Sequence, residues 1–470
     1  MDENQKPIYD ASELGTPKML ILGLQHMFAM FGATVLVPLI TGLSISTTLL
    51  FAGLGTLLFH FITKKKVPAF LGSSFAFLGG YAAIAPAEGQ YGLTQAELLP
   101  YACLGVACAG LLYFVLAGVI KVYGINKVMR FFPPVVTGPI IVAIGLGLSG
   151  SAVSNCETDW LVAVIALVTI IIVNIWGKGM AKIVPILIGV VVSYIVAVIR
   201  GDVDFTPIKE AAWIGFPIDP ASTVFGGVNL ANKSLVLSAI IAIMPIALAT
   251  MMEHIGDVSA ISATVGKNFI KDPGLHRTLT GDGLATALAS LFGAPANTTY
   301  GENTGVLVLT KVYDPKVIRL AAVFAAVLSF SPKFSAVIAT IPASVIGGVS
   351  FVLYGMISAA GLRNMVESKV DFSKSRNLLI AAIILVCSLG MTAGLTFHIG
   401  TLTITLSALA VGSLAGIILN AILPGKDFVF DEAEPEIVEE AIEEEVDVAE
   451  TVKEIAETVV EAVVEEVIAD

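Results

Sequence analysis

Apolar residues run along this chain in blocks of about twenty, divided by short stretches that hold glycine, proline and charge. Wound as a helix, a block of that length crosses the roughly 30 Å hydrocarbon core of a bilayer. The pattern predicts about fourteen such segments, near residues 19–40, 46–63, 68–86, 99–121, 132–150, 158–176, 182–199, 235–255, 278–293, 297–312, 317–340, 342–361, 377–396 and 399–423. The third, ninth and tenth are short or interrupted by Gly and Pro. Interrupted backbone at bilayer depth is tolerated only where it is buried in protein or lines a cavity.

Composition agrees with this pattern. Hydrophobic residues make up 56% of the chain and charged residues 14%, with a mean hydropathy of +0.89. Ordinary soluble domains carry roughly 25% charge, so an all-α polytopic membrane protein is expected. The first apolar run follows Asp, Glu and Lys and has no cleavage-site pattern behind it, which reads as a first membrane helix and not a signal peptide. Cys103, Cys108, Cys156 and Cys387 lie in apolar runs or a short loop without metal-ligand spacing, and read as small core residues.

The net charge of −12 is unevenly placed. From Lys426 onward there are 18 acidic and 2 basic residues, which leaves 20 acidic and 24 basic residues before it and a net of +4 for the membrane body. Alternate loops carry Lys64–Lys66, then Lys121/Lys127/Arg130, Lys178/Lys182, Lys267/Lys271/Arg277, Lys311/Lys316/Arg319 and Arg363/Lys369/Lys374/Arg376. Loops 87–98 and 151–157 have no Lys or Arg, and loop 200–234 is mixed. The positive-inside rule then places both termini in the cytoplasm, which requires an even number of spans.

The two halves echo each other. Leu24-Gln25-His26 resembles Met252-Glu253-His254, and Gly53-Leu54-Gly55-Thr56 resembles Gly283-Leu284-Ala285-Thr286. Pro68-Ala69 before Gly72-Ser73-Ser74-Phe75 resembles Pro295-Ala296 before Asn297-Thr298-Thr299-Tyr300-Gly301, and Pro133 with Gly138 resembles Pro342 with Gly347. Seven spans per repeat is an odd number, so the second repeat enters inverted. Interrupted helices at matching positions of inverted repeats point to a midplane transport site, here at 72–77 and 298–305.

Candidate chemistry gathers at these breaks. Tyr300-Gly301-Glu302-Asn303-Thr304-Gly305 sets a carboxylate and an amide between glycines in an apolar sequence, and the glycines predict backbone that is not plain helix. A charge at that depth costs at least about 2.5–3.5 kcal/mol, so Glu302 is a functional candidate by default. A carboxylate accepts two hydrogen bonds and can also take up a proton. Glu253 and Asp257, four apart, share a face if 251–257 is helical. His26 is a candidate for proton coupling, although a lone His in a span is more often a helix–helix hydrogen-bonding residue. Ser73, Ser74 and Phe75 offer backbone groups and an aromatic face to a flat heterocycle, Asn303 is placed to orient Glu302 or bond substrate, and Thr310 and Lys311 finish the span. His60 and His276 read as interface and loop residues. Five scattered His form no metal set, and there is no Gly-rich phosphate loop or nucleophile–base spacing, so neither a metal nor an enzyme activity is expected.

Gln25 through Pro38, Leu71 through Phe77, Asn297 through Val306, Lys271 through Arg277, and Gly347 through Asp371 resemble the nucleobase–ascorbate transporter family, and within it the bacterial uracil-permease branch. The resemblance covers about residues 15–424. It implies fourteen spans in two inverted seven-span repeats, a core and a gate domain, and spans 3 and 10 partly extended as short antiparallel strands. It implies proton-coupled uracil uptake driven by the proton gradient without a cofactor. It also implies a homodimer in the bacterial inner membrane, and no nucleic-acid partner. Substrate contacts carry over to the side chains of Glu253 and Glu302 and the backbone at Phe75 and Gly301, with Ala33, Tyr300 and Tyr354 lining the pocket. Proton coupling carries over to Asp257, Glu253, His26, Ser74 and Asn303; some uracil permeases have His where this chain has Asp257. Glu at 302, where xanthine and urate carriers have Gln, points to uracil, with a xanthine/urate or other nucleobase symporter as the alternative. The resulting divisions are a cytoplasmic N-terminus 1–17, a first repeat 18–200, an extracytoplasmic loop 201–234, a second repeat 235–424 and an acidic cytoplasmic tail 425–470. An anion exchanger of seven-plus-seven architecture and a membrane scaffold acting through the tail are the other classes the pattern allows.

Overall fold

A computed structural model describes residues 7–425 apart from 91, 392–393 and 400–401. The acidic tail beyond Gly425 lies outside the described residues. The chain is predominantly helical. Helix α1 (Thr16–Thr41) opens with Pro17 in its first turn and closes at Gly42, whose φ of 80° permits a left-handed cap. Helix α2 (Ile45–Ile62) is capped by the Ser44 side chain accepting from the Thr47 N–H. The chain then extends as β1 (Leu71–Ser73), followed by a short helix α3 (Leu78–Ile84). Helix α4 (Gln95–Tyr123) starts on a Thr94–Glu97 capping box. Helices α5 (Pro134–Gly147), α6 (Trp160–Trp176) and α7 (Pro185–Arg200) follow.

The second half begins with α8 (Lys233–Ile243), and a turn at Met244–Ile246 containing Pro245 separates it from α9 (Ala247–Val265). Next come α10 (Leu275–Leu291), β2 (Asn297–Thr299), α11 (Gly301–Thr310), α12 (Pro315–Leu328) and α13 (Ala343–Glu367). Helix α14 (Ser375–Gly390), strands β3 (Leu395–Ile399) and β4 (Leu402–Leu406), and α15 (Ala408–Ile422) complete the described chain.

Among the described residues, six helical segments are long and apolar enough to cross a membrane: Thr16–Thr41, Ile45–Ile62, Gln95–Tyr123, Pro134–Cys156, Lys233–Val265 and Ala343–Glu367. Counting the Pro315–Leu328 and Pro332–Ala339 pair, bent by 88°, makes seven. The chain is thus a multi-pass membrane protein, but its apolar blocks are not fourteen long helices. Helices α6, α7, α14 and α15 have 15 to 17 residues. The third and tenth blocks are split between strand and helix. The end of the thirteenth and start of the fourteenth form the β3–β4 hairpin, with Leu395 opposite Leu406. Thr396, Phe397, Ile399, Thr403, Ile404 and Thr405 are β-branched or aromatic and favour extended backbone there.

Close helix contacts rest on small residues. A Cβ at Gly110 of α4 would come within 2.7 Å of the Gly283 carbonyl on α10, and one at Gly361 of α13 within 2.7 Å of the Gly138 carbonyl on α5. Without a hydrophobic drive between helices in lipid, such backbone approach supplies the packing. The N-terminal segment is stitched to one end of the bundle. The Ile8 N–H donates to the Lys311 carbonyl at 2.8 Å, the Ala11 N–H to Asp314 Oδ2 at 2.8 Å and the Tyr9 hydroxyl to the Val265 carbonyl at 2.9 Å.

Candidate functional site

The centre of the site is the crossing of β1 and β2. The two strands pair antiparallel, with Leu71 opposite Thr299, Gly72 opposite Thr298 and Ser73 opposite Asn297. All six residues are buried, so the ladder satisfies peptide groups that no water could reach. The pairing continues past the strands, with the Ser74 N–H donating to the Ala296 carbonyl at 2.8 Å and the Tyr300 N–H to the Phe70 carbonyl at 3.0 Å. From this crossing the chain turns into α3 on one side and α11 on the other.

Tyr300 locks the crossing. Its hydroxyl donates to the Ser73 carbonyl at 2.9 Å, and Thr34 Oγ1 of α1 donates to it at 3.3 Å. Ser73 Oγ donates to the Thr34 carbonyl at 2.7 Å. Ala33 is buried beside Thr34 in the same helix. The Tyr300 hydroxyl is therefore committed to holding α1, β1 and β2 together. The ring of Phe75, just past β1, meets Tyr354 of α13 edge-on, with centroids 6.3 Å apart. The Phe75 N–H lies between β1 and α3, outside both hydrogen-bond patterns.

The extended backbone ends at Tyr300. Gly301–Gly305, expected to be irregular, forms the first turns of α11, with Glu302 in the first turn. A Cβ at Gly301 or Gly305 would meet nothing within 4 Å, so these glycines thin one helix face instead of breaking the helix. The first-turn N–H groups, Gly301 included, have no acceptor within the helix. Glu302 lines a crevice of about 420 Å³ with Phe28, Gly32, Asn174, Lys182 and Met356. That volume suits a small ligand.

Glu253 and Asp257 both lie on α9, four residues apart and on one face. Glu253 is within electrostatic range of Asp257, Asp282 and Glu302. Asp257 Oδ2 accepts from Thr299 Oγ1 at 2.6 Å, which ties α9 to β2 directly before Tyr300. Asn303, placed by its sequence position beside Glu302, instead donates from Nδ2 to the His26 carbonyl at 3.0 Å and faces His26 Nδ1 at 3.2 Å. His26 and Asn303 thus join α1 to α11. Ser74 Oγ and Asn303 Oδ1 are buried without a hydrogen-bond partner among the described residues.

Sequence reasoning passed over Asp282. It stands on α10 with its side chain fully buried, 3.1 Å from Nδ1 of the equally buried His254. The two are at ion-pair distance without the alignment of a hydrogen bond. A lone Asp in the ninth apolar block, in Thr280-Gly281-Asp282-Gly283, was the available signal. His60, read as an interface residue, is fully buried, with Nε2 2.8 Å from the Ala69 carbonyl just before β1.

Of these groups Glu302 lines the crevice of about 420 Å³, Phe75 lines a separate one of about 440 Å³ beside α3 and α5, and Glu253 and Tyr354 line neither; two carboxylates, peptide donors and an aromatic pair near one strand crossing are still the chemistry of a flat polar ligand. A family model described as a permease family matches residues 17–397. A probable uracil permease of Haemophilus influenzae is 40% identical over 430 residues, 90% of this chain and 98% of its own. A uracil permease of Bacillus caldolyticus is 40% identical over 431 residues, 90% of this chain and 96% of that one. The transmembrane domain of BicA, a cyanobacterium bicarbonate transporter, matches with a TM-score of 0.59 at 15% identity, over 88% of this chain and 99% of that chain. This last likeness concerns the fold alone. From the match along most of its length and the identity to these permeases, the chain belongs to the nucleobase–ascorbate transporter family.

Proposed function

We propose that this protein is a uracil:proton symporter of the bacterial inner membrane, working by alternating access. The observation that carries the reading is that Glu302 and Glu253 lie within electrostatic range of each other beside the β1–β2 crossing, in a chain 40% identical to uracil permeases. Uracil is flat and neutral, with ring N–H donors beside carbonyl acceptors. Glu302 and Glu253 accept from the N–H groups, and the peptide N–H groups at Phe75 and Gly301 donate to the carbonyls. A site of such polar groups rejects ligands that leave them unpaired. The edge-on pair of Phe75 and Tyr354 lines one side of the ring, while Tyr300 and Ala33 support it from behind.

One proton enters the carboxylate cluster with each substrate, because Glu253, Asp257 and Glu302 make a costly site when all are ionised, and Lys182, which lines the crevice with Glu302, offsets at most one of those charges. Asp257 shares that cluster, with His26, Ser74 and Asn303 around it. The gradient across the membrane then drives uptake. The fold is read as fourteen spans in two inverted repeats, 18–200 and 235–424. These divide into a core domain carrying β1, β2 and the carboxylates and a gate domain carrying Tyr354, and motion between them exposes the site to either side. The reading places loop 201–234 outside and residues 1–17 and 425–470 in the cytoplasm, and pairs the protein as a homodimer.

Radiolabelled uracil uptake into proteoliposomes, with and without an inward proton gradient, tests this. Saturable uptake driven by the gradient and competed poorly by xanthine, thymine or cytosine is expected. Xanthine uptake without uracil uptake would move the protein to the purine branch, and neither would discard the function while leaving the fold.

A further inference from the structure

The crevice that holds Glu302 has a cation at its other end. Helix α11 starts at the buried strand crossing, so Glu302, half-buried in its first turn, marks the inner end. Glu302 and Leu309 both line the crevice, seven residues apart, so it follows α11 for roughly 10 Å. Phe28 and Val308 belong to one wall, Leu187 and Met356 to the other. The walls meet where α1 touches α7, since a Cβ at Gly32 would lie 2.8 Å from Ile186 Cγ2. Lys182 stands on the short helical turn Met180–Ile183 between α6 and α7, and that turn packs against α11. Lys182 is exposed, lines the same crevice and has no ion-pair partner among the described residues. It and Glu302 are the only ionisable residues among the described lining.

The elements packed most closely on α11 are α1, α9 and this turn. From α9, Glu253 and Asp257 are within electrostatic range of Glu302. From α1, His26 faces Asn303 at 3.2 Å. Tyr300, directly before α11, has its hydroxyl bonded to the Ser73 carbonyl and Thr34. Asp282 and His254 face each other on α10 and α9. Two neighbouring carboxylates oppose the ionisation of a third, and a cation in the same crevice favours it. Lys182 is the one lysine or arginine in the lining that can do so. At an effective dielectric of about 20, charges roughly 10 Å apart couple by about one pH unit.

We propose that Lys182 is a positioning residue for proton release. Its ammonium group, at the mouth of the crevice, holds Glu302 ionised once the crevice is open to the cytoplasm. The O–H bond of the Glu302 carboxyl then breaks in favour of a water in the crevice, and the proton leaves on the Lys182 side. This deepens the symport reading and rests on it for the coupling, while the charge pairing itself needs no substrate.

Labelling with a hydrophobic carbodiimide, which reacts with protonated carboxyl groups in apolar surroundings, tests the pairing in substrate-free protein in nanodiscs. Modification of Glu302 is read by mass spectrometry as a function of pH. Lys182→Gln is expected to move the midpoint of labelling up by about one pH unit, Lys182→Glu further, and Lys182→Arg not at all. Lys178→Gln is the control, because Lys178 is exposed nearby and does not line the crevice. An unchanged midpoint in Lys182→Gln, or an equal shift in Lys178→Gln, would overturn the proposal. So would labelling of Glu302 that depends on pH in none of these proteins, because the carboxyl would then have no proton to release. In proteoliposomes Lys182→Gln is expected to slow gradient-driven uracil uptake by about tenfold, one pH unit being one decade, while sparing uracil exchange. An equal fall in both would overturn the release role. Wild-type protein that shows the labelling shifts but takes up no uracil would remove the substrate and keep the charge pair.

Discussion

Replacing Gly72 with alanine perturbs the strand crossing at one point. A Cβ at Gly72 would lie 2.4 Å from Cε2 and Cζ of Tyr300 and 2.7 Å from Thr34 Oγ1. Carbon atoms sit at about 3.5–4.0 Å in ordinary contact, so the ring must retreat by about 1 Å or more. Its hydroxyl cannot retreat freely, because it is bonded to the Ser73 carbonyl and to Thr34. Overpacking of this kind costs about 1–3 kcal/mol. If the cost falls on the substrate-competent geometry, affinity drops by roughly 5- to 150-fold, at 1.4 kcal/mol per decade. Isothermal titration of uracil into detergent-solubilised protein, alongside its melting temperature, measures both outcomes. Gly79→Ala is the control, since a Cβ there meets nothing within 4 Å. Wild-type affinity and melting temperature in Gly72→Ala would refute the idea that contact with Tyr300 sets the geometry of the crossing.

Thr299→Val removes the donor to Asp257 and is expected to cut gradient-driven uptake by about tenfold while sparing uracil exchange, which needs no net proton movement. A parallel fall of both rates would make the bond merely structural. His254→Leu alone leaves Asp282 buried without its partner, at a cost of about 3–5 kcal/mol, and should lower the melting temperature sharply. The double change with Asp282→Leu should recover most of the melting temperature, and a further drop instead would contradict the pairing. Glu302→Gln exchanges an acceptor for a donor and should weaken uracil binding at least about tenfold, read by titration; unchanged affinity would remove Glu302 from the site.

How much of this was legible in the sequence depended on whether a local rule met a tertiary one. Glu302 stood out because a carboxylate in an apolar block has few other reasons to be there. Pro68, Gly72 and Ser73 in one half and Pro295 and Asn297 in the other marked where helix would fail, since neither set sustains it. The same rule misled at Gly301–Gly305, because glycine also serves a helix that must leave one face bare. The strand register, the bond from Thr299 to Asp257 and the meeting of His26 with Asn303 each join residues more than forty positions apart. No local pattern contains them. Asp282 was visible as a residue but not as a site, because its partner His254 lies on a different helix. The attachment of Ile8 to the Lys311–Tyr313 backbone left no sequence signal either, being made by peptide groups alone.

The antiparallel ladder also sets an order on biogenesis. Its partners Leu71 and Thr299 are separated by more than two hundred residues, so β1 is made long before β2 exists. At a translation rate of about 5–20 residues per second, the ribosome needs on the order of 10–50 seconds to deliver the missing strand. Leu71 can already bond Thr56 of α2, its N–H donating to Thr56 Oγ1 at 2.9 Å, but until then the Gly72 peptide groups, the Phe70 carbonyl and the Ser74 N–H lack their partners on the β2 side, and hydrocarbon supplies none, at several kcal/mol for each exposed group. The third apolar block therefore cannot settle in its final place during its own synthesis. It must wait in the translocon, at the membrane surface or against a holding factor until the tenth arrives. The first half of this protein, released alone, would be an incompletely inserted chain and not half of a carrier.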